Sequence, residues 1–248
     1  MSQDTQTPAR HEPLAAVCAA QRVQPYRFIH KALRVMMFHT LQRSGTLDAS
    51  EPRERAAVVE EVERLLAFCA DHLAHENHFL LAPLRERAPR AVLAFEHDHQ
   101  DHLDAIAALR LLLARLRDAG EHDAQALAYE LHLRLSDFVA DNLPHMVEEE
   151  TTQTQALWEH FSNAELAGLL DALHASLSPQ ENLTCLQWMA RGLNHHELAM
   201  VLSDLRQHAS AAAFAEMADV VRQNLPTQRW VRLARALGLP PAPGLGSC

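Results

Sequence analysis

Glycine is scarce in this sequence. Seven occur in 248 residues, where the usual share is roughly 7%. Neither G-x-G-x-x-G nor G-x-x-x-x-G-K is present, which excludes the standard loops whose backbone N–H groups cradle phosphates. Cysteine is sparse too. Cys18, Cys69, Cys185 and Cys248 form no C-x-x-C pair, so a zinc ribbon, a thioredoxin-like motif and a disulfide framework are all excluded. Positive charge is short. Lys and Arg number 22 against 32 Asp and Glu, for a net charge of −10. No basic field is available to hold nucleic acid or an anionic membrane. No run of 18 apolar residues exists, so no membrane span is expected. Residues Met1 to Gln6 are polar and acidic where a signal peptide would be basic and then apolar. A cytoplasmic protein is the expectation.

Hydrophobic residues make up 48% of the chain and charged residues 22%, as in a globular protein. Histidine is the abundant oddity, with 17 copies in an acidic chain. Ala, Leu, Glu, Gln and Arg dominate, and β-branched runs of period two are absent. The chain therefore reads as all-α. Four long helices are expected. The first runs from about Pro25 to Arg43 and stops at Ser44-Gly45. The second runs from near Ser50 to about Leu81, where Pro83 ends it. The third runs from Pro89 to Gly120, and the fourth from His122-Asp123 to beyond Glu150. After Phe161 four or five short helices follow. Ser162 with Glu165, Ser178 with Glu181, and Asn194 with Glu197 have capping-box spacing, and Thr227 starts a last helix. Residues 1–19 and 239–248, the latter rich in Pro, read as loose tails.

The histidines fall on the apolar seams of the long helices. On the third, Val92, Phe95, His99, His102, Ile106, Leu109, Leu113 and Leu116 alternate by three and four, the spacing of an inward bundle seam. On the second, Val62, Leu65, Cys69, His72, Glu76, Phe79 and Leu80 share a face. On the fourth, so do Leu131, Leu135, Phe138, Asn142, His145 and Glu149. His72 and Glu76, like His145 and Glu149, stand four apart in adjacent turns. The first helix turns Tyr26, His30, Leu33, Met37 and Leu41 inward and His39 outward.

One histidine on an apolar face is usually core packing, and a single H-x-x-x-E pair is weak. Here all four long helices place His inward, and two carboxylates join them. A buried carboxylate costs several kcal/mol unless paired. The seams offer it no Arg except Arg34. Five His and two Glu are what two metal ions with open positions need, and imidazole with bridging carboxylate suits iron, manganese or zinc. The remaining histidines read as surface or loop residues. His195-His196-Glu197 follows Asn194 and reads as a solvated first turn. Met36-Met37, Trp158, Trp188 and Trp230 read as core, and Cys69 as a buried inert thiol.

The order of these residues resembles the hemerythrin-like (HHE cation-binding) family. The stretches that carry the resemblance are Arg27 to Arg34 around His30, His72 to Glu76 with Leu81-Ala82-Pro83-Leu84, Glu96 to His99, and His145 to Glu150. It covers residues 20–160. The helices of 161–238 look like the C-terminal extension of some bacterial members. The resemblance implies an up-down-up-down four-helix bundle holding a non-haem di-iron centre. His30, His72, His99, His102 and His145 would be terminal ligands, and Glu76 and Glu149 would bridge. Two iron ions, ferrous or ferric, with an oxo or hydroxo bridge are implied, with zinc or manganese as substitutes. Family members bind dioxygen, respond to nitric oxide or oxygen, store iron, or help repair iron–sulfur centres.

Two departures from the family pattern stand out. The third helix commonly offers two His four apart, whereas here Leu103 is at that position and His102 is at +3. The pair His97 and His102, five apart, fits worse. Pro144 precedes His145 and should free the Ala140 carbonyl and bend the helix, leaving Glu148, Glu149 and Glu150 as rival bridges. The leading expectation is a di-iron protein that binds or senses a small diatomic, dioxygen or nitric oxide. Its rivals are a di-iron redox or iron-donating enzyme, and an interaction protein that meets a protein partner through the C-terminal helices.

Overall fold

Straight-chain residues and alanine lose little on entering a helix, and this chain uses them for helices throughout. A computed structural model describes residues 22–240, and every regular element among them is helical. Residues 1–19, residues 241–248, Cys18 and Cys248 lie outside the described residues. Leu239 and Pro240, the described part of the expected C-terminal tail, are not helical.

Helix α1 spans Arg27–Gly45, and α2 spans Pro52–Glu76 with Pro at its first position. Helix α1 stops at Ser44-Gly45, as expected. The Ser44 hydroxyl donates to the Leu41 carbonyl and meets His132 Nδ1 at 3.0 Å, so the turn is held in place. Pro83, by contrast, does not end the second helical run. The chain passes from α2 through a π-helical turn, Asn77–Leu81, into α3 (Ala82–Arg87). Pro83 sits in the first turn of α3. The π turn has already shifted the hydrogen-bond register there, so its missing N–H interrupts little.

The same pattern recurs later. Helix α4 is Leu93–Asp118. Helix α5, Glu121–Glu148, runs through Pro144 into a second π turn, Glu149–Gln153, and then α6, Thr154–His160. The short helices are α7 (Asn163–Ser176), α8 (Pro179–Gly192), α9 (His195–His208), α10 (Ala211–Gln223) and α11 (Thr227–Leu237). All three expected capping boxes form, at Ser162, Ser178 and Asn194.

Helices α1, α2, α4 and α5 close a ring: α1 packs on α2 and α5, and α4 packs on the same two from the other side. The seams face into it. Every third-helix seam residue from Val92 to Leu116 is buried, as are Leu131, Leu135, Phe138, Asn142, His145 and Glu149 of the fourth. Met36 and Met37 belong to this core.

The residues after 161 do not stand apart from it. Helix α8 lies along α1 and puts Trp188 into the same apolar core. Leu166 of α7 joins Tyr26, Leu80, Leu81, Leu84 and Phe161 in a second cluster beneath the π turns. Leu186, Leu198, Leu202, Val221, Trp230 and Leu233 form a third. Glu197 corrects one expectation. It is buried rather than solvated, and its carboxylate takes Lys31 Nζ at 2.7 Å and Arg27 Nη2 at 3.0 Å. Helix α9 is thereby clamped to α1.

Gly192 shows how closely α8 meets α1. A Cβ there would lie 2.7 Å from the Lys31 carbonyl oxygen, and only glycine avoids that clash. Gly192→Ala is expected to destabilise the protein by about 1–3 kcal/mol. Gly168, exposed in α7 with open space around it, should gain about 0.5–1 kcal/mol on replacement by Ala. Urea unfolding of the two variants checks the opposite signs.

Candidate metal centre

The i, i+4 spacing puts His72 above Glu76 on α2, and His145 above Glu149 at the end of α5. Helix α1 supplies His30 and α4 supplies His99. These side chains meet inside the ring as two groups, His30 with His72 and Glu76, and His99 with His145 and Glu149. Within each group the donor atoms lie within 4.8 Å of one another. Glu76 and Glu149 are 2% and 1% exposed, which removes solvent as their counter-charge.

The carboxylates span both groups. Glu76 Oε1 faces His72 Nε2 at 3.0 Å and His30 Nε2 at 3.5 Å, while its Oε2 faces His99 Nε2 at 3.8 Å. Glu149 Oε1 faces His99 at 3.2 Å and His145 at 3.3 Å, while its Oε2 faces His30 at 3.4 Å. Donors about 2.1 Å from a shared ion stand roughly 3–3.5 Å apart, so these separations suit ligands converging on a cation. Several of the atoms have no other use. His30 Nε2, His72 Nε2, both Glu76 oxygens and both His145 nitrogens are buried without a hydrogen-bond partner among the described residues. Orphaned buried polar atoms are expensive. The donor set and its orphans fit two metal ions.

The outer nitrogens are held from behind. His99 Nδ1 meets Asn77 Oδ1 at 2.8 Å. His30 Nδ1 meets Glu150 Oε1 at 3.1 Å, and Arg34 donates to the same oxygen at 2.6 Å. An acceptor on Nδ1 keeps the proton there and leaves Nε2 free for a metal. Arg34, the one arginine near the seams, therefore neutralises Glu150 and not the buried pair. Of the three candidate bridges, Glu149 enters the site, Glu150 orients His30, and Glu148 is exposed.

The charges answer one another. Burial opposes ionisation of Glu76, but His72 and His30 hold its carboxyl well below the usual range. Burial and Glu76 push Glu149 upward, and His145, His99 and His30 outweigh them. Burial works against the His30 cation, yet Glu150, Glu76 and Glu149 raise it to about 9. The His30 imidazole thus carries positive charge that a metal would otherwise bring.

Six of the seven expected ligands converge. The seventh, His102, is buried outside both groups, with its ring edge-on to His145 at 4.6 Å and to Phe138 at 6.4 Å. Burial, with His145 and His99, pushes its proton affinity down to about 4. His97 is exposed. Sequence reasoning missed Asn77 and the orienting role of Glu150. Asn77 lies off the apolar seam in a π turn that no 3.6-residue pattern anticipates. The adjacency of Glu150 to Glu149 was visible, but its rotation away from the centre was not.

A small cavity of about 10 Å³ adjoins the groups. Glu76, Glu149, His72 and His145 line it together with Leu33, Met37, Cys69, Leu73, Asn142 and Met146. Burial pushes the Cys69 thiol up to about 12, so it stays protonated.

No protein-family model matches the chain, and a search of curated proteins finds no significant match. Among the described residues no helix is long and apolar enough to cross a membrane.

Glu150→Ala leaves the six converging donors intact. It is expected to weaken metal binding about 10–100-fold through loss of His30 orientation, with little change in helix content. Competition against a chromophoric chelator measures the affinity, and circular dichroism checks the fold.

Proposed function

We propose that this chain is a hemerythrin-like, up-down-up-down four-helix-bundle protein that holds two iron ions and binds a small diatomic, dioxygen or nitric oxide. The carrying observation is the crossed arrangement of Glu76 and Glu149, each facing histidines of both groups. His30, His72, His99 and His145 would be terminal ligands and the two glutamates bridges. Iron bound there supplies an exchangeable coordination position and electrons for a bound ligand. Zinc or manganese suits the same donors.

The chain's own residues set what can enter. The cavity has room for about one water-sized molecule, which favours a diatomic over an organic substrate. Leu33, Met37, Leu73 and Met146 keep the approach apolar and limit water. Asn142 is the one neutral polar side chain at the cavity, and its Nδ2 is already given to the Phe138 carbonyl. No general base is needed for binding. The protonated Cys69 argues against thiol-driven turnover, which leaves the redox-enzyme reading the weaker one.

A sensor role is the second reading, favoured by one contact. Glu197 of α9 holds Arg27 and Lys31, and Lys31 follows His30 directly. A shift of His30 on ligand binding would pass to the C-terminal helices and to a protein partner seated on them.

Anaerobic ferrous loading followed by mass spectrometry is expected to give two irons per chain, with a new absorption band on admitting dioxygen or nitric oxide. Glu149→Ala should lose at least one iron and the band. No bound iron, or an unchanged adduct in Glu149→Ala, overturns the reading. Affinity should also rise with pH. His30 is protonated below about 9 and must be neutral to ligate. Between pH 9 and pH 6, apparent affinity should fall by about tenfold per unit for that site, as chelator competition across the range would measure.

A further inference from the structure

A second cavity lies far along the chain from the metal ligands, between the start of α9 and the face of α11. Its volume is about 60 Å³, and His195, Leu198, Leu225, Arg229, Arg232 and Leu233 line it. Its chemistry runs against the rest of the protein. The chain carries a net charge of −10, yet α11 has Arg229, Arg232 and Arg235 and no acidic residue. Arg229 and Arg232, three apart, share one face of the helix.

Among the described residues these cations have no carboxylate partner. Among the described residues Arg229 donates only to the Leu193 carbonyl, at 2.6 Å. Arg232 has no hydrogen bond or ion pair among the described residues. Glu197, in the first turn of α9, is occupied by Lys31, Arg27 and the Asn194 backbone N–H. His195 is the first residue of α9, so the positive end of that helix lies at the cavity. Slight desolvation and the positive charge of Arg232, His196 and Arg229 lower the His195 pKa, in keeping with a positive local potential. Leu198, Leu225 and Leu233 give the cavity apolar walls, while Arg229 and Arg232 reach it from the exposed face of α11.

Size narrows the guest. At about 10–15 Å³ per water-sized occupant, a cavity of about 60 Å³ has room for a small group of phosphate size and not for a larger organic molecule. The guanidinium fork matches its oxygens two at a time. We propose that this cavity binds a phosphate-sized oxyanion, free or as the end group of a phosphomonoester, between His195, Arg229 and Arg232. The site uses none of the metal ligands and stands whether or not the metal reading does.

The test is isothermal titration calorimetry on the full-length protein, stripped of metal by chelation so that phosphate cannot bind at a metal. Inorganic phosphate and glycerol phosphate are titrated separately in chloride buffer. Saturable one-site binding is expected, weakened about tenfold or more by Arg232→Gln, a residue that holds nothing else in the fold. Arg235→Gln removes the same charge from the same helix but does not line the cavity, so it should change affinity less than about twofold. Tighter glycerol phosphate than phosphate would assign the monoester, and equal affinities the free anion. Absence of saturable binding, or equal losses in the two arginine variants, overturns the proposal.

Discussion

Two carboxylates share the interior of this protein, and the rest of the centre answers to that. Glu76 and Glu149 sit together where solvent does not reach, and among the described residues their ion-pair partners are histidines, with no arginine or lysine. Alone they would repel and resist ionisation. Four imidazoles surround them, one from each of α1, α2, α4 and α5, so the ring of helices closes around its most unfavourable pair. A site with this much negative charge and this many idle nitrogens has a strong appetite for a cation, which is the physical root of the metal proposal.

The neighbouring structure is arranged to keep the donors aimed. Each glutamate stands at the junction between an α-helix and a π turn, at Glu76–Asn77 and at Glu149. A π turn widens the helix locally, and such turns recur at functional sites. Here each one also places a supporting residue: Asn77 behind His99 and Glu150 behind His30. Pro83 withholds an N–H just past the first turn, where the hydrogen-bond register is already irregular, and Pro144 lies inside α5 ahead of the second.

Much of this was legible in the sequence, because burial follows periodicity. The seam from Val92 to Leu116 could be read from its three-and-four alternation, and all of it is buried. His72 with Glu76 and His145 with Glu149 could be read from their spacing. The capping boxes could be read because their chemistry is local. What escaped the sequence was what breaks the 3.6-residue period. Both π turns were invisible, so Pro83 looked like a stop. Glu197 looked solvated because its partners Arg27 and Lys31 lie on another helix, more than 160 residues away. His102 shows the converse limit: periodicity places it on the inward face, while the ring it meets there is His145.

The π turns bear on how the chain tolerates changes in length. A π turn is an α-helical turn carrying one extra residue. Deleting one residue within 77–81 would let α2 and α3 run on as a continuous α-helix. That repair would rotate everything downstream by about 100°. Leu84, now fully buried, would swing away from Phe161 and Leu166. The apparent irregularity is therefore a phase correction. It lets one helix serve the carboxylate centre with its first part and a separate apolar cluster with its last.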